Sequence, residues 1–474
     1  MKKITVSLLL ALIFITGLAL RLMPALNSEL PLRFDSYYHA RVAELINRDM
    51  SIPSWEPWPY GGRPHVYPPA YPLLLLFISK LFMTTTLNAS RFVLPFISSL
   101  IVVAAFYFVR SFKSERAALI ASFLISVNPY LVSSSYDSPQ VIGILLLIIA
   151  VYFVFKKEFF KASILLASVF FFNPFSLVMF SVPLFAYLLI RDKTLNTAKT
   201  FSLPIITSIL WLLLNFNATS CYNNWIGPLF IMKKINPWIN FATPIFIFLP
   251  IIAFVMIKDL KDKFRFFWFI SSIVFVAVFM LHFITPIFHP WRADVYLMLA
   301  LSFLFSDSLS SLNWKNLFLF ITLSMISLAS LFSVFLASPL MMPPLTQNEY
   351  KLVDFISKNN KGLPILANHD MCSNILTLTN KSCLLDLNFE CIPNATSWYD
   401  YEQFFWVASR QEMRDIINRN PDISYIAYSS GDWGRQFLES MDVDKVYSAW
   451  TDSSRDASLY KVNRIKGNIT YMEG

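Results

Sequence analysis

Long apolar runs, separated by short polar loops, fill the chain from its start to about residue 336. The first run, Ile4–Leu22, would rise about 28 Å as a helix, enough to cross the hydrocarbon core of a bilayer. Similar runs predict further membrane-spanning helices over 92–109, 117–132, 141–155, 162–172, 175–190, 201–216, 241–257, 264–283, 295–305 and 316–336. The pattern predicts an all-α polytopic membrane bundle of about 11 spans.

One further apolar segment, Pro68–Met83, opens with prolines and carries Lys80, so we place it as a helix lying in the membrane interface. With this segment left out, the basic loops all fall on one side: 110–116, 156–161, 191–199 and 258–265. Because cytoplasmic loops are enriched in Lys and Arg, this side is predicted to be cytoplasmic, together with the N-terminus. The Asn-x-Ser/Thr triplets fall on the other side, at Asn88, Asn217, Asn380, Asn394 and Asn468.

The long apolar runs give way to a mixed polar and apolar pattern at about Pro339, where a proline-rich linker begins. We predict two domains: a transmembrane domain over 1–338, with its first outer loop at 23–91, and an extracytoplasmic α/β domain over 339–474. Strands are predicted at 363–367, 382–387, 423–428, 445–447 and 457–462, and helices at 411–420 and 435–441. A disulfide among Cys372, Cys383 and Cys391 is feasible in this outer domain, and its pairing stays open.

Composition agrees with a multi-pass protein of the cell membrane. The chain is 56% hydrophobic and only 15% charged, which excludes disordered, collagen-like and ordinary cytosolic proteins. The net charge of +9 would suggest nucleic acid as a partner of a soluble protein. Here the basic residues lie mainly in short loops, so we interpret the charge as membrane topology and expect membrane lipids, not nucleic acid, as partners.

The first outer loop has the residues best suited to chemistry. Asp35 follows the first span and begins an amphipathic segment that includes His39, Arg41 and Glu44. A carboxylate at a membrane boundary can bind a divalent cation or accept a proton, and the neighbouring cations can bind phosphate. The alternative is a structural role, with Asp35 as the N-cap of the helix.

Two later segments place charges at the same predicted membrane face. Asp137 is the acidic residue of the next outer loop, where a turn or cap is the alternative role. Arg292 and Asp294 enter a late span from outside, and their alternative is a surface pairing with each other or with lipid phosphate. Charges converging on one membrane face suit a substrate with its tail in lipid and its phosphate outside.

The segment Phe34-Asp-Ser-Tyr-Tyr-His-Ala-Arg, followed by Trp-x-Pro-Trp-Pro and Tyr-Pro-Pro-x-Tyr-Pro-Leu-Leu, resembles the first outer loop of catalytic oligosaccharyltransferase subunits, especially archaeal ones. These are GT-C membrane glycosyltransferases. The resemblance is specific over residues 20–75, looser to about 140, and only architectural across the middle of the chain.

The resemblance implies a role for each candidate residue. Asp35 and Asp137 would bind a divalent cation, Mn²⁺ or Mg²⁺, and activate the acceptor. Arg292 would face the substrate phosphate or the acceptor, and His39, Arg41 and Asp370 would belong to the same binding region. The partners would be a lipid-linked sugar donor and an acceptor protein or glycoconjugate.

The chain departs from this family at three places. One is the long outer loop that has a site glutamate in the family: ahead of Arg292 only residues 284–290 separate the predicted spans. The other two departures are in motifs. Ser138, Pro139 and Gln140 stand where the second motif usually has another acidic residue or a histidine. The family's C-terminal signature Trp-Trp-Asp-Tyr-Gly falls on Asn368-His-Asp-Met-Cys, of which only Asp370 matches. Both departures bear on the choice of acceptor.

Three functions therefore stay open. The first is an oligosaccharyltransferase-like enzyme that moves a glycan from a polyprenyl-phosphate or polyprenyl-diphosphate donor to an outer protein. The second is a GT-C transferase with a monosaccharide-phospholipid donor and a lipid or polysaccharide acceptor. The third is a non-catalytic glycan-assembly partner or a transporter, for which charges buried inside several spans would be the mark.

Overall fold

The structure of the 474-residue chain is a computed structural model. It describes residues 3–27, 31, 34–56, 63–65, 67–136, 138–192, 194–214, 261–284, 290–310, 347–359, 364–367, 371–372, 375, 378–379, 381, 383–384, 404–405, 410–420, 423–429, 443–451 and 454–462. The chain divides into two compact units. The first comprises Met1–Leu32, Tyr67–Phe216 and Leu229–Met342, and the second comprises Arg33–Val66, Asn217–Pro228 and Pro343–Gly474.

The described part of the first unit is helical. Its helices are α1 (Lys3–Leu26), α3 (Ala70–Leu81), α4 (Thr86–Arg110), α5 (Glu115–Ser126), α6 (Pro129–Ser134), α7 (Gln140–Phe155), α8 (Phe159–Phe172), α9 (Pro174–Arg191), α10 (Thr194–Leu214), α11 (Lys263–Ile284) and α12 (Pro290–Leu309). Within this unit, α4 packs against α1, α5 and α7, and α11 packs against α9 and α12.

Several helices begin where a polar side chain meets the free N–H groups of the first turn. Thr85 and Ser114 accept hydrogen bonds from backbone N–H groups in the first turns of α4 and α5. Asn128 and Asn173 do the same for α6 and α9, and each is followed by a proline, which is favoured at the first helical position. These caps turn the predicted span 117–132 into two helices, α5 and α6.

Four of the described helices are long and apolar enough to cross a membrane: Ile4–Leu26, Thr86–Arg110, Pro174–Arg191 and Thr194–Leu214. They include four of the predicted spans. The predicted spans 141–155, 162–172 and 295–305 lie in shorter apolar helices, and 264–283 lies in α11. The spans at 241–257 and 316–336 lie outside the described residues. Helix α3, in the segment predicted to lie in the interface, would rise only about 18 Å.

The bundle is held by aromatic side chains from several helices. The rings of Trp268 and Phe303 lie 4.4 Å apart, and Phe108 packs edge-on against both. By contrast, α1 and α10 expose large aliphatic side chains along much of their length, including Ile4, Leu8, Leu12, Leu210 and Leu213. Exposed apolar surface of this extent is stable in contact with lipid tails, which explains the composition of the chain.

In the second unit, the early segment forms α2 (Phe34–Asp49) and a short hairpin of β1 (Trp55–Glu56) and β2 (Arg63–Pro64). The C-terminal part contains α13 (Gln347–Asn359), β3 (Ile365–Ala367), α14 (Arg410–Arg419), β4 (Tyr425–Ser429), β5 (Val443–Thr451) and β6 (Ser454–Val462). The sheet order is β3-β4-β6-β5, with β3 parallel to β4 and the other pairs antiparallel. Helix α13 packs on β5 and β6, where Phe355 stacks on Tyr447.

The sequence predicted most of this C-terminal sheet. The strands at 363–367, 423–428, 445–447 and 457–462 and the helix at 411–420 are confirmed, with somewhat different ends. Of 382–387 only a single bridge at Cys383 is described, and the helix at 435–441 lies outside the described residues. Helix α13 was missed. The disulfide joins Cys372 to Cys383.

Candidate functional site

Helix α2 positions the first predicted catalytic residue. It begins at Phe34, so Asp35 lies inside the first helical turn, where its negative charge is favoured by the helix dipole. Its side chain is partly buried. Tyr38 and His39 follow at three and four residues, so they share a face of the helix with Asp35, and both are buried. Asp35 therefore borders a polar, water-poor face.

That face adjoins a buried pair that sequence reasoning missed. Glu56 ends β1 and His65 directly follows β2, and both side chains are almost completely buried. His65 Nδ1 lies 2.7 Å from Glu56 Oε1, and the Tyr38 hydroxyl donates to the same oxygen at 2.6 Å. Because Nδ1 is used in this way, Nε2 is the ring nitrogen that remains to accept a proton or a hydrogen bond. The only signal in the sequence was the spacing of these polar residues in a proline-rich loop.

The charge state of His39 differs from the sequence prediction, which grouped this residue with the cations that can bind phosphate. Burial, together with the positive field of His65, lowers the pKa of His39 from 6.5 to about 3. The imidazole is therefore neutral at physiological pH. It can exchange a hydrogen bond, but it carries no charge to attract a phosphate, because the protonated form would lose its hydration.

The other predicted residues are spread over the two units. Arg41 pairs with Glu44 at 2.9 Å on α2. Arg292 is the third residue of α12 in the first unit, and Asp137 lies between the described residues Tyr136 and Ser138. Asp137 itself and Asp370 lie outside the described residues, as does the Arg292 side chain. The structure thus groups Asp35, His39 and Arg41 on one helix.

Within the first unit, the elements that bear Asp137 and Arg292 meet at one end of the bundle, which we call the Tyr136 end. Helix α7 begins just after Asp137, and a Cβ added at its Gly143 would lie 2.7 Å from Ser176 Oγ near the start of α9. Ser176 Oγ in turn lies 2.6 Å from the hydroxyl of Tyr296, near the start of α12. The beginnings of α7, α9 and α12 are therefore neighbours.

A buried arginine closes the same end. Arg21 of α1 is fully buried and donates to Ser98 Oγ at 2.9 Å and to the carbonyl oxygens of Ser126 and Ile125 at 2.7 and 3.1 Å. Those carbonyls belong to the last turn of α5, where a positive charge is favoured. The Tyr136 hydroxyl donates to Leu20 O at 3.0 Å. The loop that leads to Asp137 is thus tied to the first helix.

The opposite end, which we call the Lys113 end, has ion pairs instead. Lys113 Nζ lies 3.0 Å from Asp262 and 3.1 Å from Asp307, and Arg265 also pairs with Asp307. These contacts join the α4–α5 loop to the start of α11 and the end of α12. Burial alone would raise the pKa of Asp262, but hydrogen bonds from the Arg265 N–H and from Lys113 hold it below its usual value.

The predicted cation site is only partly described. Asp35 is the one predicted ligand whose side chain falls within the described ranges, and in those ranges no group of three His, Cys, Asp or Glu side chains is arranged to hold a metal ion. A single carboxylate falls short of the oxygen set that Mn²⁺ or Mg²⁺ requires. We therefore derive no chemical step through a metal.

No protein-family model matches the chain. No curated protein sequence matches it either. Solved structures do: the Archaeoglobus fulgidus oligosaccharyltransferase superposes with a TM-score of 0.62, at 11% identity, over 90% of this chain and 70% of that one. ArnT from Cupriavidus metallidurans, bound to undecaprenyl phosphate, gives 0.57 at 11% identity over 97% and 98% of the two chains.

The arabinofuranosyltransferase AftD from Mycobacteria gives a TM-score of 0.56 at 11% identity, over 98% of this chain and 40% of AftD. These three proteins are GT-C glycosyltransferases. The chain shares their fold, which confirms the resemblance expected from its first outer loop. At these identities the likeness defines the architecture of the molecule and leaves its substrates to be inferred.

Proposed function

We propose that the chain is a GT-C membrane glycosyltransferase that moves a sugar or glycan from a polyprenyl-phosphate or polyprenyl-diphosphate donor to an acceptor outside the membrane. The carrying observation is that the fold likeness extends over 90–98% of the chain, including its C-terminal part. One oligosaccharyltransferase structure contains an inhibitory peptide and a dolichol-phosphate, and the ArnT structure contains undecaprenyl phosphate. A phosphate carried by a lipid tail is thus the donor chemistry we infer.

In the proposed reaction an acceptor nitrogen or oxygen attacks the anomeric carbon of the sugar. The bond from that carbon to the phosphate oxygen breaks, and the lipid phosphate leaves with the electron pair. Asp35 takes the proton of the acceptor, a role suited to a partly buried carboxylate at the boundary of the membrane. Arg292 stabilises the charge that develops on the leaving phosphate.

Two acceptor classes fit this scheme. The similarity to oligosaccharyltransferases supports a protein acceptor, as the first outer loop suggested. A second observation favours a lipid or polysaccharide acceptor with a monosaccharide-phospholipid donor. The segment that would carry the family's peptide-reading signature continues into Met371 and Cys372, which are buried, and Cys372 is bonded to Cys383. Two buried positions, one of them in a disulfide, are poorly placed to read a peptide.

The test is transfer of labelled sugar by the full chain reconstituted in vesicles. Polyprenyl phosphate and polyprenyl diphosphate donors are each offered with an Asn-x-Thr peptide or with a membrane-lipid and polysaccharide extract. Asp35→Asn should lower the rate by about 10²–10⁴-fold, because an asparagine side chain cannot take the proton from the attacking group of the sugar acceptor. Asp49→Asn is the matched control, since Asp49 ends the same helix, is exposed and pairs with the neighbouring Arg48.

Each outcome bears on a different part of the proposal. Labelled peptide supports protein glycosylation, whereas labelled lipid or polysaccharide supports the second acceptor class. Wild-type rates in Asp35→Asn would overturn the role of that carboxylate. Absence of transfer from every lipid-linked donor, in vesicles where the protein is folded, would favour a non-catalytic partner or a transporter.

A further inference from the structure

We propose that Asn173, Ser176 and Tyr296 form a buried hydrogen-bonded cluster, the α9 cluster, that fixes the rotation of α12 and so positions Arg292 for the donor phosphate. This inference rests on the proposed function, because it assigns the three residues to the substrate site of the transferase. Each acts as a positioning residue, without itself contacting the reacting atoms.

The direction of the hydrogen bonds follows from the chemistry of the groups. The Asn173 side-chain oxygen accepts from the Ser176 backbone N–H at 2.8 Å and from Ser176 Oγ at 2.9 Å. Since the serine hydroxyl has donated its proton to Asn173, the Tyr296 hydroxyl is the donor in the 2.6 Å contact with Ser176 Oγ. The Asn173 amide donates onward to the Tyr67 hydroxyl at 3.4 Å. The chain of bonds therefore runs from α12 through the start of α9 to the end of the first outer loop.

Burial makes this cluster sensitive to the rotation of α12. Tyr296 and Ser176 are fully buried, and Asn173 is nearly so. The Tyr296 ring packs against Phe180 and Phe275, with ring centroids 5.4 and 5.6 Å away. A phenol hydroxyl in such apolar surroundings loses free energy if it moves away from its partner. Helix α12 is thereby held at one rotation about its own axis.

The rotation of α12 also determines the position of Arg292. It precedes Tyr296 by four residues on α12, so the two residues lie on the same face of the helix, about one turn apart. Fixing Tyr296 against Ser176 consequently fixes the side of the bundle on which Arg292 lies. A guanidinium binds a phosphate through a planar fork of N–H groups, so its direction matters as much as its charge.

The same serine also sets the position of α7. Gly143 approaches Ser176 so closely that an added Cβ would lie 2.7 Å from Oγ and 2.8 Å from Cβ of the serine. Helix α7 follows Asp137 and α12 bears Arg292, so the α9 cluster contacts the helix after one proposed site residue and the helix that bears another.

The first experiment uses Tyr296→Phe, which removes the hydroxyl and keeps the ring. We expect kcat for sugar transfer to fall by about tenfold or more at saturating donor, because a misaligned arginine stabilises the leaving phosphate less well. Tyr187→Phe is the matched control, since Tyr187 is a buried tyrosine of α9, the helix that Tyr296 contacts, and lies at the end of α9 away from Ser176. A wild-type kcat in Tyr296→Phe would overturn the proposal.

A double variant distinguishes positioning through Arg292 from a merely structural role of the Tyr296 hydroxyl. If the hydroxyl acts through Arg292, the double variant Arg292→Ala/Tyr296→Phe should be no slower than Arg292→Ala alone. If the two losses multiply, positioning through Arg292 is wrong. Arg292→Ala at the wild-type rate would also overturn the proposal, because nothing would remain to be positioned.

A third measurement needs no activity. The rate at which a maleimide labels Arg292→Cys, in the full chain in vesicles, should change by at least about threefold when Tyr296→Phe is added, because α12 is free to rotate. An unchanged rate would overturn the role of the α9 cluster even in an active transferase. A changed rate in a protein that transfers no sugar would support the cluster and refute only the proposed function.

Discussion

The two ends of the helical bundle satisfy their polar groups in opposite ways. At the Lys113 end, one lysine and one arginine share two carboxylates in a network that joins three segments. At the Tyr136 end, hydroxyl, amide and backbone groups pair with one another, and the buried Arg21 donates hydrogen bonds to helix carbonyls. Opposite charges that pair hold the structure together. Among the described residues of the Tyr136 end, the pairing of hydroxyl, amide and backbone groups brings in no carboxylate that could compete with a phosphate.

This difference has a consequence for function. A pre-formed carboxylate pair beside Arg292 would compete with a phosphate for the guanidinium. The α9 cluster fixes α12 without such a competitor. We therefore expect substitutions in the α9 cluster and at Arg292 to act on turnover, and substitutions in the ion pairs of the Lys113 end to act on stability.

The largest effect should come from Arg292→Ala. If Arg292 stabilises the leaving phosphate as proposed, loss of its guanidinium should lower kcat by about 10²–10³-fold, measured by transfer of labelled sugar in vesicles. Arg110→Ala is the control from the Lys113 end, since Arg110 forms an exposed pair with Glu115. Equal rates for the two variants would remove the functional contrast between the ends.

At the Lys113 end, Asp307→Asn should lower the free energy of unfolding by about 2–4 kcal/mol, because Lys113 and Arg265 lose a largely buried counter-charge. The measurement is thermal or denaturant unfolding in detergent, combined with the transfer assay below the unfolding midpoint. There kcat should stay within about twofold of wild type. A tenfold fall in kcat with unchanged stability would contradict the assignment.

Arg21→Met tests whether a buried charge at the Tyr136 end is structural. The carbonyls of Ser126 and Ile125 would lose their donor in apolar surroundings, so we expect a loss of about 2 kcal/mol in unfolding free energy. Met keeps the length of the side chain, which limits the cavity. If Arg21→Met keeps full stability and loses transfer, Arg21 belongs to the substrate site instead.

The dependence of stability on acidic pH should distinguish the buried, neutral His39 from the partly exposed, ionised Asp262. His39 is neutral down to about pH 3 in the folded chain, whereas the unfolded chain takes up its proton near pH 6.5. Stability should therefore fall as pH drops below 6.5, by up to about 1.4 kcal/mol per pH unit for this residue alone. Asp262, whose pKa is lowered, contributes stability that is lost only as pH falls below about 3.8.

The check is the unfolding midpoint between pH 7 and 5. His39→Gln should flatten this part of the profile, and Asp262→Asn should leave it unchanged. The same slope in wild type and His39→Gln would show that His39 is not the group responsible.

The sequence predicted the helices best where long apolar runs had to satisfy their own backbone in lipid. It also placed Asp35 on an amphipathic helix after the first span. It could not reveal the Glu56–His65 pair or the Ser176–Tyr296 contact, because each joins residues whose proximity depends on tertiary packing. Asn173 was visible as a break between two apolar runs. Its role as a cap that also orients Ser176 required the geometry.

The positions of charged residues in the sequence predicted neither the charge state nor the partners of several side chains. His39 was grouped with the cations of the first outer loop, yet burial keeps it neutral. Asp262, Arg265 and Asp307 looked like ordinary loop and helix-end charges, yet they form the ion network with Lys113. In both cases the tertiary environment decides the charge or the partners of the side chain, and a single sequence does not reveal that environment.

The central claim is that the chain transfers a sugar from a lipid-linked phosphate donor, with Asp35 at the reacting centre. The most direct test measures labelled sugar released from a polyprenyl-phosphate or polyprenyl-diphosphate donor onto an acceptor, for wild type, Asp35→Asn and Asp49→Asn side by side. We predict transfer by wild type and by Asp49→Asn, and a rate lower by about 10²–10⁴-fold in Asp35→Asn. Equal rates in all three proteins, or no transfer by folded wild type, would contradict the claim.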